Sequence, residues 1–264
     1  MTKFNLSLSD RTITTENGAW FKNWFDSSFY HQLYSNRDEN EAAGFIDELI
    51  CELNPKPGSA MLDLGCGSGR HSKILAGKGF DVTGFDLAGS SIATAKRFEK
   101  SNLNFYRHDM REPFGRNLYD YVFNFFTSFG YFKCDEDNHK VIRNIQQSLK
   151  PGGVLMMDYL NVQYSDKHMM AEETKEIDGV IYHIHRWTDE DYFYKKICIE
   201  SGADEPIVHT EQVARLGLSD FYELFVQHGM MIEQIYGDYR LGAYDREKSP
   251  RLIMLVKRME SVFE

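Results

Sequence analysis

From Ala60 onward the chain alternates short, unbroken apolar runs with segments whose apolar residues recur at helical spacing. The unbroken runs fall near 60–64, 80–85, 103–107, 119–125 and 153–159, and the helical periodicity near 70–77, 90–100, 136–149 and 219–228. A strand with no polar side has both faces covered. Such strands separated by helices predict an α/β fold, a doubly wound, mostly parallel, Rossmann-like sheet of seven strands with helices on both faces. Upstream, residues 1 to about 40 read as aromatic and irregular, with Trp20, Phe21, Trp24, Phe25, Phe29, Tyr30 and Tyr34. Glu41–Leu53 then sets Phe45, Ile46, Leu49, Ile50 and Leu53 at helical spacing, and Pro55-Lys-Pro-Gly58 stops the helix.

The period changes after residue 171. Three β-rich stretches follow, Thr174–Thr188, Tyr192–Ser201 and Ile207–Leu216, with turns at Asp189-Glu-Asp191 and Gly202-Ala-Asp-Glu-Pro206. Ile181, His183 and His185 share one face, and Tyr182, Ile184 and Arg186 the other. This is the pattern of a small antiparallel insertion between the fifth strand and the last helix. Runs near 231–237 and 251–257 read as a hairpin closing the main sheet. The chain thus divides into residues 1–171 (aromatic cap and first part of the core domain), 172–217 (β insertion) and 218–264 (last helix and hairpin).

One stretch reports on a ligand rather than on folding. Ala60–Ser72 reads AMLDLGCGSGRHS, a strand ending near Asp63, a loop with Gly65, Gly67 and Gly69, and the polar start of a helix. Glycines at alternate positions let the backbone turn sharply and let a ligand approach the main chain. A dinucleotide fingerprint needs G-x-G-x-x-G, and Arg70 stands where its last glycine would be; the Lys-Ser/Thr pair of a P-loop is absent too. Asp86 ends the second strand 21 residues beyond Gly65, where such folds hold a ribose diol. The loop suits a nucleoside with a ribose rather than a pyrophosphate. The plainer reading, a tight strand–helix turn, explains the glycines but not the acids in register with them.

Asp63-Leu-Gly-Cys-Gly-Ser-Gly69 resembles the first motif of class I S-adenosylmethionine-dependent methyltransferases. Asp86, then Asn104-Phe-Tyr-Arg-His-Asp109-Met110, then Tyr119–Phe126, then Leu149-Lys-Pro-Gly-Gly-Val154 match that family in order, over roughly residues 42–160 and 218–258. The resemblance implies S-adenosyl-L-methionine as cofactor and S-adenosyl-L-homocysteine as product. It implies Asp63, Gly65, Cys66 and Gly67 around the methionine part and Asp86, with Leu87 beside it, at the ribose. Asp109 and Met110 would flank the adenine, and Asn124 at the tip of strand four completes the set. In similar small-molecule methyltransferases an amino-terminal aromatic segment folds over the cofactor and an arginine pairs with its carboxylate; Tyr30 and Arg37 are the matching positions, with Tyr34 behind them. Residue type alone also allows Asp109 to cap the next turn, Arg70 and His71 to pack locally, and Cys66 to fill space within the loop.

Composition narrows the rest. The 264 residues are 42% hydrophobic, enough for a sizeable core, and no apolar stretch reaches the 18 or more residues of a membrane helix. MTKFNLSLSD lacks the apolar segment of a signal peptide, and four scattered cysteines suit a reducing cytoplasm. A net charge of −10 argues against a nucleic-acid substrate, whose phosphates call for Lys and Arg. No carboxylate cluster suggests a metal, and His183 and His185 read as strand neighbours rather than ligands.

Ligands of open α/β sheets bind beyond the carboxyl ends of the strands. Among residues placed there, Tyr159, Asn161 and Tyr239 are the candidates for catalysis. Asn124-Phe-Phe-Thr127 lacks the prolines of base-amine methylation motifs, and Cys134 follows Lys133, not the proline that cytosine methylation needs. What remains resembles small-molecule methyltransferases with a β insertion. The expectation is transfer to a small polar acceptor by in-line displacement, nitrogen ahead of oxygen. Protein or tRNA methylation, or cofactor binding without catalysis, are the alternatives. The insertion offers a lid or a homodimer interface.

Overall fold

The computed structural model describes residues 20–34, 39–202 and 205–259. Its centre is a run of parallel strands, β1 (Ala60–Leu64), β2 (Asp81–Asp86), β3 (Leu103–Arg107), β4 (Tyr119–Asn124) and β5 (Leu149–Leu160). Two more, β10 (Met230–Tyr236) and β11 (Arg251–Arg258), complete a seven-stranded sheet of order β10-β11-β5-β4-β1-β2-β3. β11 runs antiparallel to both β5 and β10, as expected for a closing hairpin. Strand order reverses around β1, which lies between β2 and β4, so the loops leaving β1 and β4 diverge and open a crevice.

The pleat sends successive residues to opposite faces, and each face has its own core. Leu62, Val122 and Leu155 pack with Ile142 and Ile145 of α6 (Asp135–Ser148) and with Phe221 and Phe225 of α8 (Leu218–Gln227). Their neighbours Met61, Phe123 and Met156 pack with Phe45 and Leu49 of α3 (Glu39–Leu53), Leu75 of α4 (Arg70–Gly77) and Ile92 of α5 (Gly89–Ala95). Burial on both faces is why these strands read as unbroken apolar runs.

Two short helices occupy the aromatic stretch expected to be irregular, α1 (Trp20–Phe25) and α2 (Ser28–Leu33). Ser27 caps α2, its Oγ accepting from the Tyr30 N–H at 3.1 Å. Six-residue helices do not stand alone in water; these are held by burial, Trp24 completely and Leu33 nearly so.

The insertion is a second sheet of four antiparallel strands in chain order, β6 (Glu172–Ile177), β7 (Val180–Thr188), β8 (Tyr192–Glu200) and β9 (Ile207–Ala214). The stretch expected as one strand over 174–188 is a hairpin. Asp178 and Gly179 form its two-residue loop with φ of 50° and 79°, the conformation a tight hairpin turn demands. A further short helix, α7 (Val162–His168), precedes the insertion. The inner face of this sheet buries Tyr182, Ile184, Ile197 and Ile199 against Trp24 and Leu33, forming a third core. His183 and His185 stand on the outer face, His183 beside Glu200 at 3.2 Å. The two sheets are stitched together where the Ala214 N–H donates to the Gly130 carbonyl (2.8 Å) and the Tyr159 hydroxyl to the Ala214 carbonyl (2.7 Å). No helix among the described residues is long and apolar enough to cross a membrane.

Candidate functional site

A cavity of about 600 Å³ lies at the carboxyl ends of β1, β2 and β4, where strand order reverses. Its floor is the glycine loop, one wall the tips of β2 and β3, the other the segment after β4, and its roof α1 and α2.

The loop is tied down by its neighbour strand: the N–H groups of Gly65 and Cys66 both donate to the Phe85 carbonyl, at 2.8 and 2.9 Å. Its three glycines serve different ends. A Cβ on Gly65 would lie 2.6 Å from Cβ of Ser128, and one on Gly69 2.6 Å from the ring of Phe105. Gly67, at φ +55°, would meet nothing within 4 Å. It lines the cavity, so a side chain there would fill ligand space rather than protein. Its N–H donates to Oδ2 of Asp86 at 2.8 Å, and the Ala88 N–H donates to Oδ1 at 2.8 Å. Burial raises the Asp86 pKa, and those backbone donors oppose the rise. The carboxylate is thereby fixed at the cavity edge.

Leu87 and Met110 line the cavity as anticipated, together with Phe85 and His108, whose rings sit 4.9 Å apart. Asp109 lines it as well, and it also shapes its own turn, accepting from the Arg111 N–H at 3.1 Å. Arg111 grips it bidentately (3.0 and 2.7 Å) and reaches Asp137 at 3.0 Å. The two carboxylates raise the Arg111 pKa, so the group is a fixed cation, packed over the rings of Phe132 and Phe21.

Asp63 and Asn124 sit one layer lower than expected. Both are buried and neither lines the cavity. Asp63 is the penultimate residue of β1 and Asn124 the last of β4, and both side chains are buried. Asp63 accepts from the Ser72 hydroxyl at 2.5 Å, and Asn124 donates to the Leu64 carbonyl at 2.8 Å. One oxygen of each, Oδ1 in both cases, has no protein donor. Burial pushes the Asp63 carboxyl up to about 7, Ser72 pulling it back and Asp86 adding to the rise.

The three residues expected to face an acceptor do not line the cavity. Tyr159 is wholly buried and its hydroxyl is spent on Ala214. Asn161 donates to the carbonyls of Ser249 (2.7 Å) and Arg246 (3.0 Å), which staples the segment before β11. Tyr239 donates to Asp158 at 3.2 Å with its ring 4.6 Å from Phe45, and borders a separate hollow against α3. Tyr159 is closed off by Ala214 and by the Phe221 ring 5.0 Å away, Asn161 is held by the loop before β11, and Tyr239 belongs to that loop. Tyr30 does line the cavity; Arg37 lies outside the described residues.

Tyr34 lines the cavity behind Tyr30 as expected, and residues not assigned to the site complete the walls: Phe25, His31, Arg70, His71, Phe126 and Tyr131. His31 reaches Ser90 at 3.0 Å, and His71 stacks on Phe125 at 4.2 Å. Phe126 and the following Thr127 hold φ of 56° and 58°, a costly conformation for bulky side chains. Buried Asp158 enforces it, accepting from the Phe126 N–H (2.8 Å) and from Arg251 (2.7 Å), while Arg251 also donates to Oγ1 of Thr127 (2.9 Å). No local pattern around residue 126 announces this turn, because its determinants lie on β5 and β11.

Residues 55–200, more than half of the chain, match the model of a family described as a methyltransferase domain. The Bacillus subtilis (strain 168) protein YqeM is 33% identical over 135 residues, 50% of this chain and 53% of that protein. The dTDP-3-amino-3,4,6-trideoxy-alpha-D-glucopyranose N,N-dimethyltransferase of Streptomyces venezuelae is 28% identical over 132 residues, 49% of this chain and 54% of that enzyme. The chain spans about half the length of these curated relatives. In fold it is similar to an S-adenosylmethionine-dependent methyltransferase from Clostridium acetobutylicum ATCC 824, with a TM-score of 0.73, 19% identity, and coverage of 88% of this chain and 96% of that one.

Proposed function

We propose, since this chain belongs to the methyltransferase-domain family, that it moves a methyl group from S-adenosyl-L-methionine to a small polar acceptor, a nitrogen ahead of an oxygen. The observation that carries the reading is Gly67: bare backbone facing open cavity, its N–H locked to the Asp86 carboxylate at the point where strand order reverses.

The residues present fit the cofactor. Gly65 and Gly67 leave room for its methionine part, and Asp86 offers acceptors to a ribose diol. Leu87, Met110 and Phe85 form an apolar slot for a base, with Asp109 at its edge. Beneath the loop, the donor-less oxygens of Asp63 and Asn124 suit a bridging donor, since a buried acceptor left alone costs about 1–3 kcal/mol. Arg37 remains our choice for the carboxylate.

When bound, the cofactor supplies a methyl group on a positively charged sulfur that departs neutral. The chain needs no strong acid for such a leaving group; its work is placement. Holding two reactants in line contributes roughly 7–11 kcal/mol. Phe25, Tyr30 and Tyr34 roof the cavity and Tyr131 walls it, where rings exclude water and offer their π-systems to positive charge.

The similarity to a sugar-amine dimethyltransferase supports a nitrogen acceptor. The test is a thermal-shift comparison of S-adenosylmethionine, S-adenosylhomocysteine and a nicotinamide dinucleotide. Mass spectrometry of an amine panel, including a nucleotide-linked amino sugar, follows. A ligand at about 100 times its Kd stabilises the fold by roughly 2.7 kcal/mol. Asp86→Ala is expected to shrink that shift; an undiminished shift would remove Asp86 from the ribose site, and a response to the dinucleotide alone would end the proposal.

A further inference from the structure

The roof of the cavity is anchored by the inserted sheet. Tyr34, the residue that caps α2, lines the cavity, and its hydroxyl is tied to β8 and β9. It donates to Glu211 of β9 at 2.9 and 3.2 Å and accepts from Nζ of Lys195 of β8. Lys195 and Glu211 are cross-strand partners, an ion pair at 3.8 Å with side chains only 17% and 15% exposed. Trp24 Nε1 donates to the same carboxylate at 2.7 Å. The Tyr34 ring lies 4.7 Å from that of Tyr30, and Tyr30 5.0 Å from Phe25, both of which line the cavity. One ion pair of the inserted sheet thus holds a chain of roof rings in place.

Holding a phenol does not require two charges. Removing an ammonium and a carboxylate from water is unfavourable, and uncharged groups of similar shape often serve stability as well. What charges add is an electric field, which water screens little when they are covered. The reaction changes charge at one atom of the cofactor, a sulfonium before transfer and a neutral thioether after it. A field across the roof therefore acts on one form and hardly on the other.

We propose that Lys195 and Glu211 are positioning residues for Tyr34, and that the balance of their two charges sets how strongly the site prefers S-adenosylmethionine to S-adenosylhomocysteine. The proposal rests on the methyltransferase reading above. An unopposed ammonium behind the roof repels the sulfonium and leaves the thioether nearly untouched; an unopposed carboxylate attracts the sulfonium. Paired, the two largely cancel, so the phenol is fixed while the charged cofactor can enter and the neutral product can leave. The neighbouring charges are paired as well. Arg186, cross-strand from Lys195, is held by Glu173 at 2.6 Å, and half-exposed Lys175 reaches Glu173 at 3.0 Å.

Calorimetry of both ligands on the full chain tests this without turnover. Glu211→Gln leaves the ammonium unopposed and is expected to weaken S-adenosylmethionine about tenfold more than S-adenosylhomocysteine. Lys195→Met leaves the carboxylate, still held by Trp24 and Tyr34, and is expected to move the ratio of affinities about tenfold the other way. A unit charge about 10 Å away, at an effective dielectric constant of about 20, produces changes of this size. The double variant removes both charges and is expected to return the ratio to the native value. A merely loosened roof would weaken both ligands together and leave the ratio where it was. Tyr34→Phe keeps the ring and both charges but cuts the tether, so both affinities are expected to fall alike, by about fivefold. Far-UV dichroism checks that each variant folds; where one single variant does not, the other decides, since each carries its own sign. An unmoved ratio in the folded single variants, or a shift of the same sign in both, overturns the charge balance. Undiminished affinity in Tyr34→Phe overturns the positioning role. If the native chain binds neither ligand, the methyltransferase reading fails first.

Discussion

The two sheets use polar residues in opposite ways. In the seven-stranded sheet the interior is mostly apolar, its buried polar groups Asp63, Asn124 and Asp158 lie near the carboxyl ends of strands, and at and beyond those ends Gly65, Gly67 and Asp86 line the cavity with backbone and one carboxylate. In the inserted sheet the charges sit in the middle of the strands, facing inward beside Tyr182, Ile184 and Ile197. The first arrangement suits a ligand that is always the same, gripped by main chain that side-chain change hardly alters. The second suits a partner that varies, because one substitution on a strand redraws the surface without moving the fold.

The largest effect that would break this contrast lies where the roof joins the inserted sheet. Trp24→Ala removes a wholly buried ring from the third core and is expected to cost about 3–5 kcal/mol. Chemical denaturation gives the loss, and limited proteolysis should show cleavage within 172–216 before the main sheet is cut. Simultaneous loss of both sheets would mean that they are one cooperative unit. Next, Gly67→Leu fills open cavity rather than protein. Calorimetry is expected to show affinity for S-adenosylhomocysteine falling on the order of 100-fold, with far-UV dichroism unchanged; retained affinity would mean that nothing binds over Gly67.

A smaller effect concerns Asp63. Its carboxyl titrates near 7 in the fold against an ordinary 3.8, so between those values the folded state holds a proton that the unfolded chain has released. The stability it lends is full below 3.8 and is lost as pH rises through about 7. Relative to Asp63→Asn, the native chain is therefore expected to gain stability as pH falls from 8 to 5; parallel denaturation curves would show that Asp63 is charged in the fold. The smallest is His183→Ala on the outer face, expected to stay within about 0.5 kcal/mol; a larger loss would show that this face is covered.

Legibility follows the same division. The parallel sheet was readable because its central strands, buried on both faces, are apolar at most positions, and Asp86 stands at a fixed distance from the glycines. The helices of the roof were not, since Trp24 and Leu33 are ordered by the inserted sheet rather than by their neighbours in sequence. The Asp178-Gly179 turn did leave a trace: inward positions change from odd, as at Glu173 and Lys175, to even, as at Tyr182 and Ile184. Tyr159 and Asn161 were read as lying at the carboxyl end of β5, but whether such a residue sees a cavity depends on partners far along the chain, Ala214 and Ser249, 55 and 88 residues away.

The pair Phe126–Thr127 carries a further lesson about design. Left-handed backbone is cheap only for glycine, so a screen that rewards heat resistance alone would choose glycine at position 127. The winner would melt later and hold the Phe126 ring less firmly. Asp158 and Arg251 show that this chain has settled the trade the other way, tolerating a weaker scaffold for a stiffer wall.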